Sequence, residues 1–108
     1  MDEGGIDNNY DIGENLSIRK VAEVYSNLTK MGVTYFTDQP GVQFYTGNMM
    51  ANEYNGKENK KYGKNFGLCF EPQFFPDAIN HPNFPSPILK KGEKYSSTIK
   101  IKLRNNFI

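Results

Sequence analysis

Glu71 is the residue in this sequence whose setting best suits proton transfer. It follows an apolar run, Phe66-Gly67-Leu68-Cys69-Phe70, and precedes Pro72-Gln73-Phe74-Phe75-Pro76. A carboxylate flanked by aromatics should be partly desolvated. Desolvation raises a carboxyl pKa and makes the group a better base near neutral pH. The same position also suits a plain surface or ion-paired glutamate. Gln43, in Val42-Gln43-Phe44-Tyr45-Thr46, is a polar amide between apolar neighbours, able to bond a ligand or a nearby loop. Asp7, in Gly4-Gly5-Ile6-Asp7-Asn8-Asn9-Tyr10, reads from its neighbours as a turn aspartate.

Other chemistries fit less well. There is one histidine, His81, and one cysteine, Cys69, too few for a four-ligand zinc site or an internal disulfide. His81 sits among Asn80, Pro82 and Asn83, a poor setting for a serine triad. Cys69 lies in an apolar stretch and is expected to be a buried, inert thiol. The sequence holds no GxGxxG, Walker loop, HExxH or CxxC. No metal or cofactor is expected.

The elements that must position these residues are strands. Residues 18–25 are β-branched and half polar. Residues 31–37 place Met31, Val33, Tyr35 and Thr37 on one face. Between them, Ser26-Asn27-Leu28-Thr29-Lys30 suits a hairpin loop. Asp38-Gln39-Pro40-Gly41 is turn chemistry, with Pro40 presetting φ and Gly41 tolerating a positive one. Further strands are expected over residues 42–46, 66–70 and 97–103. In the last, Ile99, Ile101 and Leu103 alternate with Thr98, Lys100 and Lys102, the pattern of a sheet with one packed and one wet side. Residues 51–65 form a long polar excursion, expected as a surface loop. Residues 72–87 carry five of the six prolines and cannot be helical.

Composition narrows the function classes. At 108 residues the chain is one domain or one piece of a larger one. Thirteen Lys+Arg against twelve Asp+Glu give a formal net charge of +1, which argues against a nucleic-acid binder. Lys60, Lys61, Tyr62, Lys64 and Phe66 interleave bases with aromatics in the manner of a single-strand binder. The near-neutral balance and the acidic residues Asp2, Glu3, Asp7, Asp11 and Glu14 weigh against that reading. No apolar run approaches a membrane span, and the first residues do not resemble a signal peptide. The expected compartment is the cytosol.

Three blocks carry a resemblance. Residues 38–48, DQPGVQFYTGN, look like the PG-(V/I)-Q-(F/V)-YTGN segment of the aldose 1-epimerases, also called galactose mutarotases. Residues 67–85, GLCFEPQFFPDAINHPNFP, resemble that family's G-(F/L)-C-L-E-x-Q-x-(F/W)-P-D-x-x-N-x-P-x-F-P block. Residues 89–95, LKKGEKY, are similar to its L-x-P-G-E-x-Y turn. The blocks stand in the family's order at compatible spacing.

The resemblance implies an all-β fold, the C-terminal part of a large antiparallel β-sandwich, with residues 1–108 forming roughly a third of a single domain. The start at Met1 fits either a truncated reading of the gene or a split product. The implied reaction interconverts the α and β anomers of hexoses such as glucose and galactose. A glutamate takes the anomeric proton and a histidine protonates the ring oxygen, with no cofactor. Glu71 falls on the family's general base, Gln43 on a sugar-contacting glutamine and Asp7 on a sugar-binding aspartate. Around Asp7, Ile6 and Asn8 depart from the commoner residues of the G-(Y/F)-D-(H/T)-N segment. Pro72 stands where threonine is common. The family's acid histidine, a second histidine and an arginine lie upstream of the matched blocks, and His81 occupies a variable position. The chain therefore holds the base half of an acid–base pair. It is expected to be inactive alone, the alternative being a non-catalytic hexose-binding remnant.

Overall fold

The computed structural model describes residues 4–14 and 17–105. Glu3 and Asp2 of the acidic start lie outside the described residues. The described residues form six strands: β1 (Asp7–Asp11), β2 (Arg19–Tyr25), β3 (Met31–Thr37), β4 (Gly41–Tyr45), β5 (Cys69–Gln73) and β6 (Ile99–Asn105). They make two antiparallel three-stranded sheets, ordered β1-β4-β5 and β2-β3-β6. Among the described residues the only helical segments are single 3-10 turns at Lys57–Asn59 and Ala78–Asn80. The fold is thus all-β, as expected.

The β2–β3 hairpin forms where its loop residues predict it. Ser26 donates its N–H to the Met31 carbonyl at 2.9 Å, and Lys30 donates to the Ser26 carbonyl at 2.8 Å. Lys30 absorbs the left-handed step of the turn, with φ 57°. A bulge between Lys20 and Ala22 interrupts the pairing with β3.

The segment Asp38-Gln39-Pro40 does not close a hairpin. It carries the chain from the β2-β3-β6 sheet to the β1-β4-β5 sheet. Gly41 is not a turn residue with positive φ; it opens β4, and a Cβ there would lie 2.9 Å from the Phe75 ring. The glycine serves a close approach.

This crossing is fastened from several sides. Thr37, fully buried, donates its hydroxyl to the Thr98 carbonyl at 2.9 Å and accepts the Gln39 N–H at 3.2 Å. Asp38 accepts the Thr98 N–H at 3.0 Å, and the Gln39 amide donates to the Ser97 hydroxyl at 3.0 Å. The Arg19 guanidinium donates to the carbonyls of Ile12 at 2.9 Å, Gly13 at 2.6 Å and Gln39 at 3.3 Å. It ties the exit of β1 to the crossing.

Three expectations need correction. β5 runs over Cys69–Gln73 rather than 66–70, because Phe66 is still in a turn, with its N–H on the Gly63 carbonyl. Cys69 is exposed, not buried, since the shifted strand turns it to the polar side. Asp7 belongs to a strand, not a turn. Pro72 is accommodated in β5 because that strand is an edge of its sheet.

The sheets meet through aromatics. Phe44 stacks on Phe70 at 4.8 Å, and Phe70 meets Tyr35 of the other sheet at 5.1 Å. Yet the buried apolar residues, among those described, are only Val42 and Ala78. Ile99, Ile101 and Leu103, on the same face as Tyr35 and Val33, remain 50, 53 and 69% exposed. The expectation of one packed side on β6 therefore fails: both sides of it are open. The accessible surface is 8363 Å², against about 6,100 Å² for a compact monomer of this mass. The radius of gyration is 16.6 Å, against about 13 Å for a compact domain of this length. The interior is that of a sandwich filled on one side only.

Two outcomes follow from this architecture. The 108-residue chain alone is expected to bind an apolar dye and to aggregate, since open apolar faces and strand edges recruit other chains; a monodisperse monomer with a cooperative melt, seen by light scattering and calorimetry, would contradict this. The second concerns Glu23, which accepts the Thr34 hydroxyl at 2.9 Å. That bond, with help from Lys20 and Arg104, holds its carboxyl below the ordinary 4.5. The contribution is present above 4.5 and is lost as pH falls through the lower folded value. Thr34→Val should move the Glu23 titration back toward 4.5 in an NMR pH series, and an unchanged midpoint would count against the bond.

Candidate functional site

The register of the β1-β4-β5 sheet builds the site. Asp7 faces Tyr45, Asn9 faces Gln43 and Asp11 faces Gly41 across β1–β4. Gln43 faces Glu71, Tyr45 faces Cys69 and Gly41 faces Gln73 across β4–β5. Side chains alternate along a strand, so one side of this sheet carries Asp7, Asn9, Gln43, Tyr45, Glu71 and Gln73. The other side carries Tyr10, Val42, Phe44, Phe70 and Pro72, and faces the second sheet. The three residues singled out from the sequence, far apart along the chain, therefore stand on three adjacent strands and on one face.

The geometry is specific. Gln43 donates through Nε2 to Asp7 Oδ1 at 2.7 Å. Asp7, Gln43 and Glu71 line one open cleft of about 480 Å³, together with Tyr45, Met49, Gln73 and Pro76. Tyr45 and Met49 also meet at its rim, where the Met49 N–H donates to the Tyr45 hydroxyl oxygen at 3.0 Å. A comparable cavity of about 470 Å³ around Gln39, Phe74, Leu89 and Tyr95 contains none of the three.

The expected burial of Glu71 is not found: its side chain is exposed in this chain, because nothing here covers the cleft. Among the described residues its carboxylate has no hydrogen-bond or ion-pair partner. The buried Gln43 Oε1 and Asn9 Oδ1 are likewise without partners among the described residues. The cleft is thus lined by two carboxylates, Asp7 and Glu71, beside the amides of Gln43 and Gln73 and the Tyr45 hydroxyl. Such a wall suits a neutral ligand rich in hydroxyl donors and repels an anion. No group of three or more metal-ligating side chains occurs among the described residues.

His81 lies elsewhere. Its Nε2 is 3.3 Å from Asp77 Oδ2, and its ring packs on Phe84 at 4.8 Å. It lines a different cavity, with Ala78, Pro82 and Ile88. The residues that local sequence reasoning missed are Asn9 and Tyr45. Once β1 is known to be a strand, their cross-strand pairing with Gln43 and Asp7 marks them. No helix among the described residues is long and apolar enough to cross a membrane.

Comparison with known proteins gives the family. Residues 1–102 match the family described as aldose 1-epimerase. The chain is 39% identical over 94 residues to a galactose mutarotase of Rattus norvegicus, and 40% identical over 94 residues to one of Bos taurus. Each match covers 87% of this chain and 28% of the relative. An aldose 1-epimerase of Escherichia coli is 37% identical over 78 residues, covering 70% of this chain and 22% of its own length. The chain spans less than a third of the length of these relatives, and it belongs to the aldose 1-epimerase family.

Proposed function

We propose that this chain supplies the base and much of the sugar-holding wall of an aldose 1-epimerase, acting on hexoses such as glucose and galactose in the cytosol. It corresponds to the C-terminal portion of the family's single domain. One observation carries the proposal: Asp7, Gln43 and Glu71 converge on one cleft, with Gln43 oriented by Asp7.

The chemistry divides among the three. The Glu71 carboxylate takes the proton from the anomeric hydroxyl. As the C1–O–H bond gives up its proton, the C1 carbonyl forms and the bond from C1 to the ring oxygen breaks. The ring oxygen must receive a proton at that moment, and the open aldehyde then rotates about its C1–C2 bond. Closure on the other face reverses both transfers, with Glu71 returning its proton. Asp7 accepts hydrogen bonds from neighbouring sugar hydroxyls, and its bond from Gln43 fixes its free oxygen. Gln43, held by Asp7, offers its second N–H to the ring substituents. No cofactor enters, because positioned acid and base suffice. The acid is not in this cleft and comes from the part of the family fold outside this chain. A hexose-binding remnant without turnover is the second reading, favoured by the same missing acid.

Two measurements separate these readings. Polarimetry of freshly dissolved α-glucose should show no rate above buffer with the 108-residue chain; clear turnover would mean that the acid lies within these residues, with His81 the first candidate. In a full-length enzyme containing this segment, Glu71→Gln should lower kcat about 10²- to 10⁴-fold with little change in sugar binding. Near-normal turnover of that variant would remove Glu71 from the role of base.

A further inference from the structure

The free edge of β6 is the least satisfied feature of the fold. Among the described residues β6 pairs with β3 alone, through all seven of its positions, Met31↔Asn105 to Thr37↔Ile99. A seven-residue strand with an open edge is a template for another strand. Its two faces differ sharply. Ile99, Ile101 and Leu103 point toward the half-filled interior and are 50, 53 and 69% exposed. Lys100, Lys102 and Arg104 form a cationic row on the outer face, where Lys100 lies 5.7 Å from the Phe36 ring.

This pattern specifies its partner. A strand added at the β6 edge must be apolar at the positions beside Ile99, Ile101 and Leu103. Its alternate positions must stand beside the cationic row, and acidic residues are favoured there because opposite charges across strands stabilise and like charges destabilise. A second copy of β6 would bring lysine and arginine against lysine and arginine. Self-pairing is therefore disfavoured. The matched relatives are more than three times as long as the stretch that this chain covers, so the family fold has further chain to place. We infer that the β6 edge receives an extended segment of alternating apolar and acidic residues from the part of the aldose 1-epimerase fold that this chain does not span. That strand closes the sandwich over the Ile99-Ile101-Leu103 seam. The inference is independent of the role of Glu71.

The test uses the 108-residue chain with two synthetic capped peptides of equal length, one alternating valine with glutamate, the other valine with lysine. Binding is read by anisotropy of the labelled peptide, and aggregation of the refolded chain by light scattering. The glutamate peptide should suppress aggregation and bind about tenfold or more tightly than the lysine peptide. The double variant Lys100→Glu with Lys102→Glu should reverse that preference. The variant Lys60→Glu with Lys61→Glu, on the distant loop, should leave it intact. Equal binding, no effect of either peptide, or a preference that follows Lys60 and Lys61 would overturn the inference. A defined dimer formed without peptide would overturn it too, in favour of a second copy.

Discussion

The antiparallel register of β4 against β1 and β5 is the constraint on which the rest depends. Because side chains alternate with period two, one register decides both faces of the sheet at once. Gln43 opposite both Asn9 and Glu71 puts the polar residues on the open side. The same alignment sends Val42, Phe44 and Phe70 inward, where Phe70 meets Tyr35. A slip of one residue in β5 would bury Glu71 against the other sheet and turn Phe70 to water. The site and the core are thus held by one set of hydrogen bonds. Gly41 is part of this, since a side chain there would press on Phe75 and on Asn9 at 3.0 Å.

Much of this was legible in the sequence, and the exceptions have physical causes. Strands β2 and β3 follow from alternating β-branched and polar residues, and they appear within a residue of the expected bounds. β1 does not, because Asp7-Asn8-Asn9-Tyr10-Asp11 is built of residues that favour turns. It becomes a strand through its neighbour β4, a long-range contact invisible in local propensity. β5 lies three residues beyond its expected place because the apolar run 66–70 begins in a turn, with the Phe66 N–H on the Gly63 carbonyl. The candidate site was legible as residues, through the family's blocks, but not as an environment. Desolvation of Glu71 was read from its aromatic neighbours in sequence. Its immediate neighbours, the aromatic Phe70 and Pro72, alternate to the opposite side of the sheet from the carboxylate.

The open interior and the exposed cleft share an origin. Two three-stranded sheets can cover each other only partly, and residues such as Leu103 and Tyr10, 69 and 50% exposed, are left at the margin. A general base gains from a cleft that excludes water, because a low dielectric strengthens each interaction with the substrate. In this chain the cleft is open to solvent. Under the proposed function, proton transfer at a useful rate calls for the rest of the family fold to supply both the acid and the cover. The same partial coverage that leaves Ile99 and Ile101 exposed thus bears on the proposed chemistry at Glu71, although the two lie on different sheets.

The choice of an amide for the middle strand has its own logic. Neighbouring strands are about 4.8 Å apart, so groups on β1 and β5 stand about two spacings from each other. Asp7 and Glu71 occupy those outer strands, with Gln43 between them. A carboxylate at position 43 would place three anions side by side and would push protons onto them. A hydrocarbon there would leave Asp7 without the donor that now reaches it at 2.7 Å. Glutamine satisfies Asp7 through one N–H and adds no charge of its own. It separates two like charges by a neutral group, and in the proposed function one carboxylate serves as a fixed acceptor while the other exchanges its proton. Two carboxylates are useful in one cleft only when something distinguishes them, and here the distinction is made by which of them the amide holds.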